Sequence, residues 1–267
     1  MNDQDSSLSN RESTKEPARD SRSMWAQVMD SALIVDPATD PYAHAAVAEI
    51  ESGMMVGIGT GMTADRATLA LAWRAFHDKL SVTCVCTSKA SQDQAAALGL
   101  TIIPFADVEE VDYLFDGASE VDHKLRMLKG HHGAITRQRL VAEVANRRIY
   151  MTSEDRYTEK LGSKALLSLT IIPFGIASIR SHLRNLGLSG VLRRDFDGRV
   201  IETDGGGVVL DMTMPDRDPL ELAEALDRIS GVVDHGLFLN EADEVLLEGK
   251  NGSIQHLIRA ELPVQDE

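Results

Sequence analysis

Three short stretches hold residue types that can do chemistry. The first is Val56-Gly57-Ile58-Gly59-Thr60-Gly61-Met62-Thr63. An apolar run enters a glycine-rich turn and then a helical pattern, which gathers free backbone N–H groups around an anion. Thr60 and Thr63 add hydroxyl donors. The dinucleotide fingerprint is not met, because Met62 stands where its third glycine belongs. No Gly-Lys-Ser/Thr follows, so this is not a Walker loop. A phosphomonoester suits the loop; so does a tight turn whose glycines serve sterics alone. The second stretch is Asp116-Gly117-Ala118-Ser119-Glu120-Val121-Asp122. It follows a predicted strand at the end where open α/β sheets place ligands. Carboxylates there bind sugar hydroxyls or move protons, and a solvated loop gives the same pattern. The third is Lys129-Gly130-His131-His132-Gly133, leading into Ala134-Ile135-Thr136-Arg137-Gln138-Arg139. The glycines permit close backbone approach. Lys129, Arg137 and Arg139 make a local positive patch in an acidic chain. Adjacent histidines do not share a face and no carboxylate spacing completes a ligand set, so no metal site is expected.

These stretches need a scaffold, and the pattern between them supplies one. Helices are predicted over Tyr42–Ile50, Thr63–His77, Ser91–Leu98 and Ala134–Ala145. Strands are predicted over Met54–Ile58, Val82–Cys86, Leu100–Ile103, Val111–Phe115 and Arg148–Thr152. Such alternation indicates a parallel sheet covered on both faces. The stretch from Asp116 to Gly133 reads as charged, glycine-rich connection. After Gly162 the pattern changes to strand Leu166–Pro173, helix Ala177–Leu186, strands Val191–Arg194 and Val208–Asp211, helix Pro219–Ile229 and strand Gly231–Phe238. That order is a split βαβ unit, ferredoxin-like in class. Glu244–Glu248 then returns to the first sheet. The expected architecture is a Rossmann-like α/β core with an inserted α+β lid. The divisions are a tail over 1–24, a core over 25–163 and 237–267, and a lid over 164–236. The first 23 residues hold almost nothing apolar and read as a disordered tail, followed by a short docking helix over Trp25–Ile34.

Composition limits the chemistry further. The 42 acidic residues against 27 basic ones give a formal charge of -15 over 267 residues. That balance argues against non-specific binding to nucleic acid or to an anionic membrane. Aromatic residues are 4%, too few for a base-stacking platform. The only cysteines, Cys84 and Cys86, cannot build a disulfide framework and suggest a reducing cytoplasmic setting.

Taken together, Gly57–Ala67, Asp116–Ala142, Thr203–Asp211 and Ile229–Phe238 resemble ribose-5-phosphate isomerase type A. The likeness runs in order from about Pro41 to Gly249. It implies an aldose–ketose isomerase of the pentose phosphate pathway. Such an enzyme interconverts ribose 5-phosphate and ribulose 5-phosphate through a cis-enediol, without metal or cofactor. It also implies a homodimer or homotetramer whose partner molecule is a phosphorylated sugar. By the same resemblance, Thr60, Gly61, Thr63 and Ser88 would position substrate. Asp116, Ser119 and Glu120 would occupy the acidic segment, and Arg156 a position usually held by lysine. Lys129 would stabilise the developing enolate oxygen.

The departures matter as much. Met62 replaces the loop serine, Ser119 the second aspartate and Gln138 the glutamate that serves as base. His131 and His132 interrupt the glycine run, and Asp204-Gly205-Gly206-Gly207 replaces Asp-Asn-Gly-Asn. An amide cannot abstract a carbon-bound proton. Loss of a general base typically removes about 10²–10⁴-fold in rate. His131 or His132 can replace it, or their bulk can simply narrow the pocket; Glu120 is a third candidate. An altered isomerase and a catalytically silent sugar-phosphate-binding homologue both follow from these residues.

Overall fold

The computed structural model describes residues 39–259. The predicted tail and the segment Trp25–Ile34 lie outside them. The chain begins with α1 (Pro41–Val47), β1 (Met55–Ile58), α2 (Met62–His77), β2 (Thr83–Cys86), α3 (Lys89–Ala97) and β3 (Thr101–Ile102). It continues through β4 (Val111–Gly117), β5 (Glu120–Asp122), β6 (Met127–Leu128), α4 (Ile135–Glu143), β7 (Ala145–Ser153) and β8 (Tyr157–Thr158). Next come β9 (Leu167–Ile171), α5 (Ile176–Asn185), β10 (Ser189–Leu192), β11 (Val208–Thr213) and α6 (Pro219–Asp227). The last strands are β12 (Val232–His235), β13 (Leu237–Phe238), β14 (Glu244–Glu248) and β15 (Ile254–Ile258).

Seven strands form the main sheet in the order β15-β14-β7-β4-β1-β2-β3. Every pair is parallel except the edge pair β14/β15. Parallel strands buried on both faces must be apolar throughout, and β1, β4 and β14 are buried along nearly their whole length. Helix α1 starts cleanly because the Asp40 side chain accepts from the Ala43 amide at 3.0 Å and Pro41 tolerates the first turn. Val56, Ile58, Tyr113, Phe115 and Met151 pack with the inner faces of α1 and α2 into one core cluster. A second, four-stranded sheet of order β10-β11-β9-β12 is antiparallel throughout. With α5 and α6 it makes the expected split βαβ unit, with its own core of Leu167, Leu169, Ile179, Leu183, Leu210 and Leu226. The architecture is therefore a Rossmann-like α/β core carrying an inserted α+β unit.

The structure departs from the sequence pattern in three places. The stretch 116–133 holds β5 and β6, strands of three and two residues, too short for any periodic signal. The expected strand Gly231–Phe238 is two strands in different sheets, β12 and β13. They part at Gly236, whose amide donates to Ser168 O and whose carbonyl accepts from Lys129 N, each at 2.8 Å. Strand β15 was not anticipated: it is an edge strand, half of it exposed, so it lacks an apolar stripe. A small sheet of order β13-β6-β5-β8 fills the space beside the main one.

Glu120 is the joint of this arrangement. It is fully buried on β5. Its carboxylate accepts from Thr158 Oγ1 at 2.9 Å, Ser163 Oγ at 2.8 Å and the amides of Gly162, Ser163, Lys164 and Ala165 at 2.9–3.2 Å. Those amides belong to the segment that leads into β9. Glu120→Ala should leave several buried donors without partners and destabilise the protein by at least about 3 kcal/mol in urea unfolding. Glu120→Gln should recover only part of that loss.

Candidate active site

In the main sheet the chain order runs outward in both directions from β1 and β4. Their carboxyl ends, at Ile58 and Gly117, therefore mark the topological switch point, where the crevice of an open α/β sheet lies. Asp116 stands there with no exposed surface. Its Oδ1 accepts from the Thr60 amide at 3.1 Å and its own neighbour's amide, Gly117 N, at 2.7 Å. Its Oδ2 accepts from Lys129 Nζ at 2.8 Å. Gln138 Nε2 spans both oxygens, at 3.2 Å and 2.9 Å. Lys129 is 2% exposed and also donates to the Gly117 carbonyl. Gly59 makes the approach possible: a Cβ there would lie 2.2 Å from Asp116 Oδ1.

Above this buried cluster opens a cleft of about 370 Å³, lined in part by Thr60, Gly61, Ser88, His132, Ala134 and Asp204. The starts of α2, α3 and α4 all border it, and a helix N-terminus favours an anion. Thr60 Oγ1 lies 2.7 Å from Thr87 Oγ1 and donates to Ser88 Oγ at 2.9 Å. Ser88 in turn caps α3 by accepting from Ser91 N at 3.1 Å. Gly61 adopts a φ of 108°, and a Cβ on it would come within 2.3 Å of His132 Cδ2. The His132 imidazole therefore lies directly on the Gly-Thr-Gly turn. Burial pushes its pKa down, the neighbouring His131 adds to that, and Asp116 opposes it. The ring is neutral near pH 7 and able to accept a proton.

The inserted unit closes the cleft from above. Asp204 Oδ2 accepts from Lys89 N, the first amide of α3, at 2.7 Å, and from Arg137 Nη1 at 3.2 Å. Arg193 is held by Asp211 and by Ser168 Oγ. From there it donates to the carbonyls of Gly130 at 3.1 Å and His131 at 2.6 Å. It thereby fixes the loop that carries His132.

Of the residues singled out from sequence, Thr60, Gly61, Ser88, Asp116, Lys129, His132 and Gln138 converge here. Both histidines are exposed, but only His132 borders the cleft and lies against Gly61. Thr63 sits beside Gly117, below the rim of the cleft. Ser119 commits its amide to Leu128 O at 2.9 Å. Two of the expected residues lie elsewhere. Glu120 faces away from the cleft, its carboxylate filled by the 162–165 segment. Arg156 is exposed on a turn after β7, its guanidinium donating to Lys164 O at 3.0 Å. The positive patch also disperses, since Arg137 pairs with Asp204 while Arg139 turns to Asp234 and Glu241. Sequence reasoning missed Asp65, whose carboxyl borders the cleft with its pKa raised by burial, and Gln94 and Arg193. Gln94 and Arg193 lie in no motif, and Asp65 falls in the helical end of the Gly57–Ala67 stretch; only the fold brings them there. Among the described residues, no group of three or more His, Cys, Asp or Glu is placed to hold a metal ion. Lys129→Met should strand a buried carboxylate and cost about 3–5 kcal/mol in urea unfolding. Gly59→Ala, which drives a methyl group into Asp116, should cost about 1–3 kcal/mol.

Known proteins are similar to this chain in sequence and fold. The family described as ribose 5-phosphate isomerase A (phosphoriboisomerase A) matches residues 83–252. The ribose-5-phosphate isomerase A of Bifidobacterium longum subsp. infantis is 36% identical over 204 residues, 76% of this chain and 88% of that protein. The ribose 5-phosphate isomerase A of Methanocaldococcus jannaschii superposes with a TM-score of 0.77 at 30% identity, covering 81% of this chain and 96% of that one. A D-ribose-5-phosphate isomerase in complex with phospho-erythronic acid superposes with a TM-score of 0.78 at 28% identity, covering 82% and 96%. The chain belongs to the ribose 5-phosphate isomerase A family.

Proposed function

We propose that this protein interconverts D-ribose 5-phosphate and D-ribulose 5-phosphate through a cis-enediol, with His132 in the role of base. Family membership supports the reaction. The observation that carries the assignment of the base is the His132 imidazole lying on the Gly-Thr-Gly turn above Asp116. The amide of Gln138 already donates to both oxygens of Asp116, so it orients that carboxylate and cannot remove a proton. Asp116 accepts from four groups, which leaves its lone pairs committed to structure. His131 does not border the cleft.

In this reading the phosphate of the sugar rests against the helix starts and hydroxyls around Thr60 and Ser88. Its C1–C2 end lies toward Asp116 and His132. His132 takes the C2 proton and returns it to C1. As the enediol forms, charge grows on oxygen, and the Lys129 ammonium behind Asp116 offsets it in a site with little water. The structural relative that holds phospho-erythronic acid supports a phosphorylated polyol acid as an analogue of that intermediate. Residues 25–163 and 237–267 act as core and 164–236 as lid; the strands of the second sheet, all within 167–235, support that division. Free Cys84 and Cys86 support a cytoplasmic setting. A homodimer or homotetramer is part of the same reading, supported by exposed Ile172, Phe174 and Val233.

The first test is turnover of ribose 5-phosphate, together with deuterium uptake at C2 in heavy water. Exchange without turnover on ribose 5-phosphate would point to another sugar phosphate. Neither exchange nor turnover with folded protein would favour the silent homologue. His132→Ala should lower kcat by about 10²-fold or more, and His131→Ala far less. Because His132 must be unprotonated and its pKa is lowered, activity should persist into acid below the ordinary histidine range, near 6.5. His132→Ala should abolish that acid limb. Gln138→Glu places a second carboxylate against Asp116, which raises the basicity of the pair. It should increase turnover by about tenfold and lower stability at alkaline pH.

A further inference from the structure

An ammonium withdrawn from water needs compensating electron density around all of its protons. For Lys129, Asp116 Oδ2 and the Gly117 carbonyl supply part of it. The remaining directions are aromatic. Nζ lies over the Tyr150 ring, 4.9 Å from its centroid, and over Phe238 at 5.5 Å. Both rings are fully buried. Tyr150 is not placed there by accident of packing, because β4 and β7 pair Asp116 directly with Tyr150 in the sheet register. Its hydroxyl is buried without a hydrogen-bond partner among the described residues. An unsatisfied buried hydroxyl costs stability. The value of the residue therefore lies in the face of its ring.

We propose that Tyr150, seconded by Phe238, is a positioning residue that holds the Lys129 ammonium against Asp116 and keeps it charged in its buried site. This rests on the role given to Lys129 above. The charged groups facing Lys129 are Asp116 from β4, Glu241 from the segment before β14, Arg139 from α4 and, when protonated, His132. Burial draws the Lys129 pKa down; Asp116 and Glu241 push it up, and Arg139 opposes them. The ring face adds to the upward side, since π density favours the cation. Removing that density lets burial prevail, so the ammonium loses its proton at lower pH. The alkaline limb of turnover must then move toward neutrality.

The test is made on the full chain. Tyr150→Phe serves as the reference, followed by phenylalanines of increasing ring fluorination at the same position. Fluorine withdraws π density with little change in size. The alkaline limb of kcat should fall stepwise along the series, by about one pH unit in total. KM should change much less. The Lys129 Nζ titration, followed by NMR in the same variants, should move in parallel. An alkaline limb and an Nζ titration that both stay fixed across folded variants would reduce Tyr150 to a space-filler and overturn the proposal. If the Nζ titration moves while turnover does not, Tyr150 still tunes the lysine, and it is the part given to Lys129 in the reaction that fails.

Discussion

A carboxylate buried without water is costly unless its lone pairs are filled and its charge is matched. Asp116 meets both demands, and most of the site follows from how it does so. The Thr60 amide must reach Oδ1, so β1 must end in a turn close against β4 and residue 59 must lack a side chain. A cation must come from below, so Lys129 must cross at the end of β6 beside Gly236. The last donor comes from α4, where Gln138 spans both oxygens. Three separate segments are thus tied to one side chain at the point where the sheet changes direction.

The inserted unit is tied to the same place by a different device. Its polar contacts with the cleft are made by charged side chains, mostly on backbone groups. Asp204 takes the first amide of α3 together with Arg137, while Arg193 holds the carbonyls of Gly130 and His131. Glu120 fixes the segment through which the chain enters that unit. Backbone groups give these contacts a defined direction, so the loop bearing His132 has one position relative to the Gly-Thr-Gly turn. The position of a base relative to a reacting carbon is what a proton transfer depends on.

The amide of Gln138 has a structural consequence for the buried cluster. An amide beside Asp116 donates where a carboxylate would repel, so the buried cluster is balanced with one negative and one positive group. The proposed reaction then needs a titratable group elsewhere, in a place that reaches the cleft. His132 occupies such a place. Its bulk is admitted because residue 61 is a glycine in a conformation that other residues rarely adopt.

Much of this was written into local pattern. The alternation of short apolar strands with helices reports a sheet covered on both faces, because burial on both sides requires apolar residues in succession. Asp116, Lys129, Gln138 and the Gly57–Thr63 loop were legible because each lies in a contiguous motif whose chemistry is local. What the sequence could not show is direction over distance. Glu120 and Asp116 are four residues apart and equally acidic, yet one faces the cleft crevice and the other the 162–165 segment, since only the strand pairings orient them. His131 and His132 are indistinguishable in sequence, and only the packing of one ring on Gly61 separates them. Arg193 and Tyr150 act on residues 62 and 21 positions away, and no local periodicity encodes such contacts. Residue type determined which chemistry was possible; the topology of the sheet decided which groups meet, because a side chain acquires its partners only when separate strands and helices have docked.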